Sequence, residues 1–248
     1  MREIIKVNNL SKFYDGKPAI KDLSLSVKQG SIFGLLGANG AGKSTTIECI
    51  LGTRIPEQGS VSILGMHPKK NRRQLFERVG IQFQESNYQE KITVGELCEV
   101  TASLYKTASD YLDLLKQFGI EDKTKKFVNE LSGGQKQRLF IVLALIPNPE
   151  VVFLDELTTG LDAKARHDVW SYLSILKTKG LTIFLTSHFM DEVEILCDTI
   201  CILKNGKSVF YGTVTEAIDS SPYNKLENAY LWYTNEEVIE NENVSHNA

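Results

Sequence analysis

The sequence predicts an α/β protein with a mainly parallel sheet, an antiparallel β segment at the N-terminal side and a helical segment inserted later in the chain. Three observations carry this. Short apolar and β-branched runs alternate with helix-patterned stretches, the order that builds parallel sheets. A glycine-rich stretch, residues 37–42, joins one apolar run directly to a helical one. From about residue 93 to 145, strand character gives way to a helical period.

Residues 4–7 and 24–27 read as short strands, and Asp15-Gly16-Lys17-Pro18 supplies turn chemistry between them. Residues 31–36 form a buried strand leading into the glycine-rich loop, and residues 43–51 form the helix after it. Residues 60–64 and 79–83 are strand-like. In the helical segment Leu97, Val100, Thr101 and Leu104 recur at helical spacing, as do Tyr111, Leu114, Leu115 and Phe118, and Gly119 suits a helix end. Strands return at residues 151–154, 182–186 and 199–203, with helices at about 163–177 and 191–196. Lys204-Asn205-Gly206-Lys207 predicts a type I′ hairpin turn. The chain therefore divides into a domain over residues 1–220, with a helical subdomain of about 88–147 inserted, and a C-terminal part over 221–248. That part is expected to hold a helix and an acidic, Asn/Glu-rich tail whose end is mobile.

Composition narrows the function. The chain has 248 residues, 42% hydrophobic and 24% charged, as in ordinary soluble domains. With 28 Lys and Arg against 31 Asp and Glu, the net charge is -3, which argues against nucleic acid as a partner. The longest apolar run, residues 139–147, is far short of the roughly 20 residues that cross a bilayer. The opening Met1-Arg2-Glu3-Ile4-Ile5-Lys6 lacks the apolar core of a secretory signal, so a cytoplasmic chain is expected. Cys49 and Cys98 are isolated, and Cys197 and Cys201 are spaced to share a helical face; all four read as small buried hydrophobes.

Gly37-Ala38-Asn39-Gly40-Ala41-Gly42-Lys43-Ser44-Thr45 matches the phosphate-loop pattern G-x-x-x-x-G-K-[ST] between a strand and a helix. Glycines let successive backbone N–H groups point at phosphate oxygens, and the helix start adds its positive end. Gly37, Asn39, Gly40, Gly42, Lys43, Ser44 and Thr45 are the expected phosphate-binding residues. Lys43 reaches the β- and γ-phosphates, and the Ser44 hydroxyl suits Mg²⁺. This predicts a P-loop NTPase core. Residues 151–154 then end in Asp155-Glu156. Asp155 at the strand end suits the Mg²⁺ shell, and Glu156, pointing elsewhere, suits polarisation of an attacking water.

Leu131-Ser132-Gly133-Gly134-Gln135, continued by Lys136-Gln137-Arg138, matches the LSGGQ signature in full. On these residues the chain resembles the ATP-binding subunits of ABC transporters, over residues 1 to about 215. The resemblance implies a head-to-tail dimer around two ATP molecules, in which Ser132, Gly134 and Gln135 close on the partner's ATP. It implies adenine stacking by Tyr14, with Phe13 as the alternative, and a glutamine at Gln84, near Gln82, that senses Mg²⁺ and water. It places Asp162, in Thr159-Gly160-Leu161-Asp162, at the dimer seam. It makes His188, after Thr186-Ser187, the switch histidine that meets the γ-phosphate. Leu157 departs from the proline usual after Asp-Glu in this family, which leaves the turn looser.

The segments over 33–40 and 226–231 look like those of ABC-2-type exporters, whose ATPase and permease are often separate chains. ATP and Mg²⁺ are the implied ligands. The implied partners are a transmembrane permease and a second ATPase subunit, expected to be an identical copy. The implied cargo is a drug, antimicrobial peptide, polysaccharide or ion moving outward. A permease helix would enter a groove near residues 84–104, with Tyr88 and Ile92 as contacts. The chain would then sit peripherally on the inner face of the membrane. The alternative is a soluble ABC ATPase, such as one serving iron–sulfur cluster assembly.

Overall fold

The computed structural model describes residues 2–82 and 91–235. The first strands are β1 (Glu3–Tyr14) and β2 (Lys17–Lys28), paired antiparallel. Both run well past the predicted residues. In β1, Asn8-Asn9 reads as a strand breaker, but Asn9 takes a left-handed φ of 48° at a register shift, and its side-chain Nδ2 donates to Asp22 Oδ1 at 2.8 Å. A bulge thus absorbs the break, and the strand continues.

β3 (Ile32–Leu36) leads through the glycine-rich loop to α1 (Lys43–Ile50). β4 (Gln58–Ile63) returns to pair with β1, so the first sheet has the order β2-β1-β4. α2 (Arg72–Phe76) precedes β5 (Val79–Gln82). The inserted helices are α3 (Val94–Ser103), α4 (Tyr111–Gln117) and α5 (Gly133–Leu145). Then come β6 (Val151–Leu154), α6 (Ala163–Thr178), β7 (Thr182–Ser187), α7 (Met190–Leu196), β8 (Thr199–Lys204) and β9 (Lys207–Gly212), followed by α8 (Val214–Asp219) and α9 (Leu226–Thr234).

The main sheet has the order β5-β6-β7-β3-β8-β9, parallel except for β9. Both faces are covered, so β3, β6 and β7 are buried at every residue; β3 and β6 read as continuous apolar runs rather than alternating ones, and β7 holds Ile183, Phe184 and Leu185 between Thr182 and Thr186-Ser187. Register aligns Phe33, Phe184 and Phe153 across β3, β7 and β6, with ring centroids 5.0 and 5.2 Å apart. This aromatic row faces α1 and the antiparallel sheet. The opposite face packs on Leu139, Val142, Val169 and Trp170 of α5 and α6. The Lys204–Lys207 turn has positive φ at Asn205 and Gly206, as type I′ requires.

The helical period read from residue 97 falls in α3, where Val94 and Cys98 are buried while Val100, and Leu104 just past the helix end, are 54% and 73% exposed. One expectation needs correction: Cys197 and Cys201 share no helical face, because Cys197 caps α7 and Cys201 lies in β8. Their spacing is real, but the break between α7 and β8 overrides it. Gln84, Tyr88, the end of the strand predicted at 79–83 and the tail from residue 236 fall outside the described residues.

Candidate functional site

The C-terminal ends of β3, β6 and β7 lie side by side, and the functional residues follow directly from them. The loop after β3 is held tight against its neighbours. A Cβ on Gly42 (φ 107°) would lie 2.5 Å from the Ala19 carbonyl oxygen, and one on Gly37 would lie 2.7 Å from that of Leu203. Only glycine satisfies both the backbone angle and the contact at Gly42. α1 begins at Gly42 without a side-chain cap and without an acidic residue in its first turn, so its opening N–H groups and positive end are left for an anion.

Lys43 is buried at 6% exposure, and its ammonium donates to the carbonyls of Gly37 at 2.7 Å and Ala38 at 3.2 Å. Burial pushes its pKa down, while the carboxylates of Glu156 and Asp155 oppose that shift. The Ser44 hydroxyl donates to Asp155 Oδ2 at 3.4 Å. Thr186, at the end of β7, donates its hydroxyl proton to Asp155 Oδ1 and accepts from the Glu156 amide at 2.9 Å. Sequence reasoning missed Thr186. The usable signal was the hydroxyl pair Thr186-Ser187 following the apolar Ile183 to Leu185 at the end of a parallel strand.

A cavity of about 680 Å³ joins these groups, lined by Tyr14, Ala19, Asn39, Gly40, Gly42, Lys43, Ser44, Thr45, Glu156 and His188. Tyr14 contributes from the end of β1, half exposed, with Lys12 Nζ 5.3 Å and Arg54 Cζ 5.6 Å from its ring centre. Phe13 does not line the cavity. His188 follows β7 and is exposed, its ring 4.2 Å from that of Phe189. The wall therefore carries the Tyr14 ring, the Lys43 loop, the Glu156 carboxylate and the His188 imidazole.

Ser132, Gly134 and Gln135 are not in that cavity. Ser132 is the N-cap of α5: its hydroxyl accepts from the Gln135 amide at 3.3 Å, and Gln135 Oε1 accepts from the Ser132 amide at 3.1 Å. The capping box uses the hydroxyl oxygen and leaves its proton to donate elsewhere. A Cβ on Gly134 would lie 3.2 Å from the Gly160 carbonyl, so α5 begins against the turn that leads to Asp162. Asp162 caps α6 by accepting from the Ala165 amide at 2.8 Å.

No group of three or more His, Cys, Asp or Glu residues suited to a metal is found among the described residues. The oxygen pair Ser44 and Asp155 is a hard donor set that fits Mg²⁺ alongside phosphate oxygens. Burial pushes the thiols of Cys49, Cys98 and Cys201 up to about 11, 12 and 11, as for small buried hydrophobes.

The chain matches the family model described as ABC transporter over residues 20–159. It is 40% identical over 220 residues to the Nod factor export ATP-binding protein I of Rhizobium etli, covering 87% of this chain and 70% of that protein. It is 39% identical over 221 residues to the protein of the same name from Burkholderia orbicola, covering 87% and 73%. Among solved structures, an ATP-binding subunit of an ABC transporter superposes with a TM-score of 0.86 at 28% identity, covering 93% of this chain and 99% of that one. A dimeric ATP-binding cassette in a post-hydrolysis state with ADP and Pi superposes with a TM-score of 0.76 at 26% identity, covering 85% and 98%.

Proposed function

The chain belongs to the ABC transporter family as an ATP-binding, ATP-hydrolysing subunit, and from that premise we propose that it powers outward transport through a separate membrane permease, as half of a dimer enclosing two ATP molecules. The observation that carries this is the division of the site. Lys43, Glu156 and His188 share one cavity with Tyr14, while Ser132 opens on the surface at the start of α5. A second copy supplies the missing wall.

In this reading Tyr14 stacks on adenine, and the loop amides with Lys43 hold the phosphates. Ser44 and Asp155 would hold Mg²⁺, which when bound offsets phosphate charge. Glu156 accepts a proton from water as its oxygen bonds to the γ-phosphorus, and the bond from that phosphorus to the β-phosphate bridging oxygen breaks, releasing ADP and phosphate. His188 donates to the γ-phosphate, and Ser132 of the second copy closes over it. Asp162 lies at the seam between the copies. Gln84 lies outside the described residues, and its role as a sensor of Mg²⁺ and water is proposed from the sequence alone.

The export direction is supported by relatives named for Nod factor export, which also disfavour the iron–sulfur alternative. Among the described residues no helix is long and apolar enough to cross a membrane, so the spanning part is assigned to the permease. Exposed Leu104, just past the end of α3, offers it an apolar foothold beside Arg73 and Phe76 of α2. The test is affinity capture of the tagged chain from detergent-solubilised membranes. Recovery of a multi-span protein supports the transporter role, and recovery of soluble partners alone overturns it while leaving the ATPase intact.

A further inference from the structure

The carboxylate assigned as the base sits on an awkward piece of backbone. Glu156 has a φ of 52°, in the left-handed region that side-chain-bearing residues rarely adopt. Such a conformation persists only where its surroundings hold it. A proline at position 157 would fix the backbone angle of that residue, but Leu157 does not. Its side chain is fully buried and anchors the far end of the turn, yet an apolar anchor leaves the peptide planes on either side free to tilt.

Gln137 supplies what is missing. Its Nε2 donates to the carbonyl of Leu157 at 2.8 Å and to that of Glu156 at 3.2 Å. A primary amide has two N–H donors, so both bonds form together. The Thr159 amide reaches the Glu156 carbonyl from the other side at 3.3 Å. The Glu156 amide, at the opposite end of the residue, is held by Thr186. With both ends of the residue held, the direction of its Cα–Cβ bond is set. Gln137 stands on α5 little more than one turn beyond the N-cap Ser132. The helix whose start faces the second copy therefore also grips the chain's own base.

We propose that Gln137 is the positioning residue for Glu156: it holds the turn that aims the carboxylate at the attacking water, and it touches neither nucleotide nor water itself. The proposal rests on the reading of Glu156 as the base. Its expected signature is a loss in kcat with ATP binding retained, because a displaced base spoils the geometry of attack without touching the sites of adenine or phosphate. A displacement of about 1 Å costs up to roughly a hundredfold in rate.

The test measures steady-state ATP hydrolysis, ATP binding and thermal melting on the full chain and on Gln137→Leu, Gln137→Lys, Glu156→Gln and the double variant Gln137→Leu/Glu156→Gln. Gln137→Leu keeps the volume and removes both donors; it is expected to lower kcat at least about tenfold with KM within about twofold. Gln137→Lys keeps a donor for the carbonyls and is expected to recover part of the loss. The double variant is expected to match Glu156→Gln, because the glutamine acts only through the base. Parent-like turnover of Gln137→Leu, a loss confined to KM, or losses that multiply in the double variant would overturn the proposal. If Gln137→Leu does not fold, Gln137→Met, which also lacks both donors, decides: parent-like KM with reduced kcat supports the role, and unchanged kcat or a raised KM refutes it. Normal turnover by Glu156→Gln marks a different failure, that of the base assignment.

Discussion

The Thr186 hydroxyl donates to the carboxylate of Asp155 from the end of the adjacent strand. Its oxygen also accepts the amide of Glu156, so a single side chain braces both members of the acidic pair. Valine has nearly the same shape without the hydroxyl. Thr186→Val would leave a buried carboxylate oxygen and a backbone N–H without these partners, each at a cost of about 1–3 kcal/mol. The expected result is a clear loss of stability in denaturant melts and at least a tenfold lower kcat, roughly. Thr186→Ser, which keeps the hydroxyl, is expected to stay near the parent.

Tyr14 lines the cavity and is the residue proposed to stack on adenine, while Phe13 lies outside it and offers its backbone amide to Glu57 at 2.9 Å. Stacking of one base on an aromatic ring is worth about 1–3 kcal/mol. Tyr14→Ala is therefore expected to raise the KM for ATP about tenfold or more with kcat nearly unchanged. Tyr14→Phe and Phe13→Ala are both expected to leave KM close to the parent. A larger KM effect at Phe13 than at Tyr14 would reverse the assignment.

The glycine-rich loop between β3 and α1 and the central strands were legible in the sequence because each is a local pattern with a local cause. Phosphate binding needs glycines, lysine and serine in consecutive places, and β3, β6 and the middle of β7 (Ile183 to Leu185) are apolar because both faces are covered. What was not legible depends on partners distant in sequence. Thr186 matters because strand register sets it beside Asp155, 31 residues away. Gln137 matters because α5 lies against the Glu156 turn. The exposure of Val100 on α3 and of Leu104 at its C-cap depends on which side the rest of the protein covers, and helical spacing does not encode that.

Gly80 in β5 shows how closely α5 approaches the sheet. A Cβ there would lie 1.9 Å from the Ala144 carbonyl oxygen and 3.2 Å from Pro149. The clash is with backbone, which a rotamer change cannot relieve. Gly80→Ala is expected to force α5 away from β5 and destabilise the fold by about 1–3 kcal/mol. Because α5 carries Gln137 and Ser132, hydrolysis is expected to fall with stability. A parent-like melting temperature would show that this packing is slacker than the geometry requires.

Glu192 on α7 is a fully buried carboxyl beneath the site. Its Oε1 accepts from Trp170 Nε1 at 3.0 Å, while Oε2 has no hydrogen-bond partner in good geometry, and neither does the buried Thr158 hydroxyl. Burial pushes the Glu192 carboxyl above its ordinary value, with Asp191 adding to the shift and the Ser187, Trp170 and Thr158 groups opposing it. The folded state therefore binds this proton more tightly than the unfolded chain does. By linkage, stability falls as pH rises through the window that opens near the ordinary glutamate value, about 4.3, and closes at the raised folded one. The full contribution of the protonated form is present below that window. Glu192→Gln keeps the acceptor for Trp170, puts an N–H₂ where the protonated oxygen would be, and cannot ionise. Stability curves of parent and variant, measured in denaturant from pH 4 to 8, are expected to diverge with rising pH, the variant gaining on the parent. A parent whose stability rises through the same window no less than the variant's would mean that the folded protein holds Glu192 charged at no net cost.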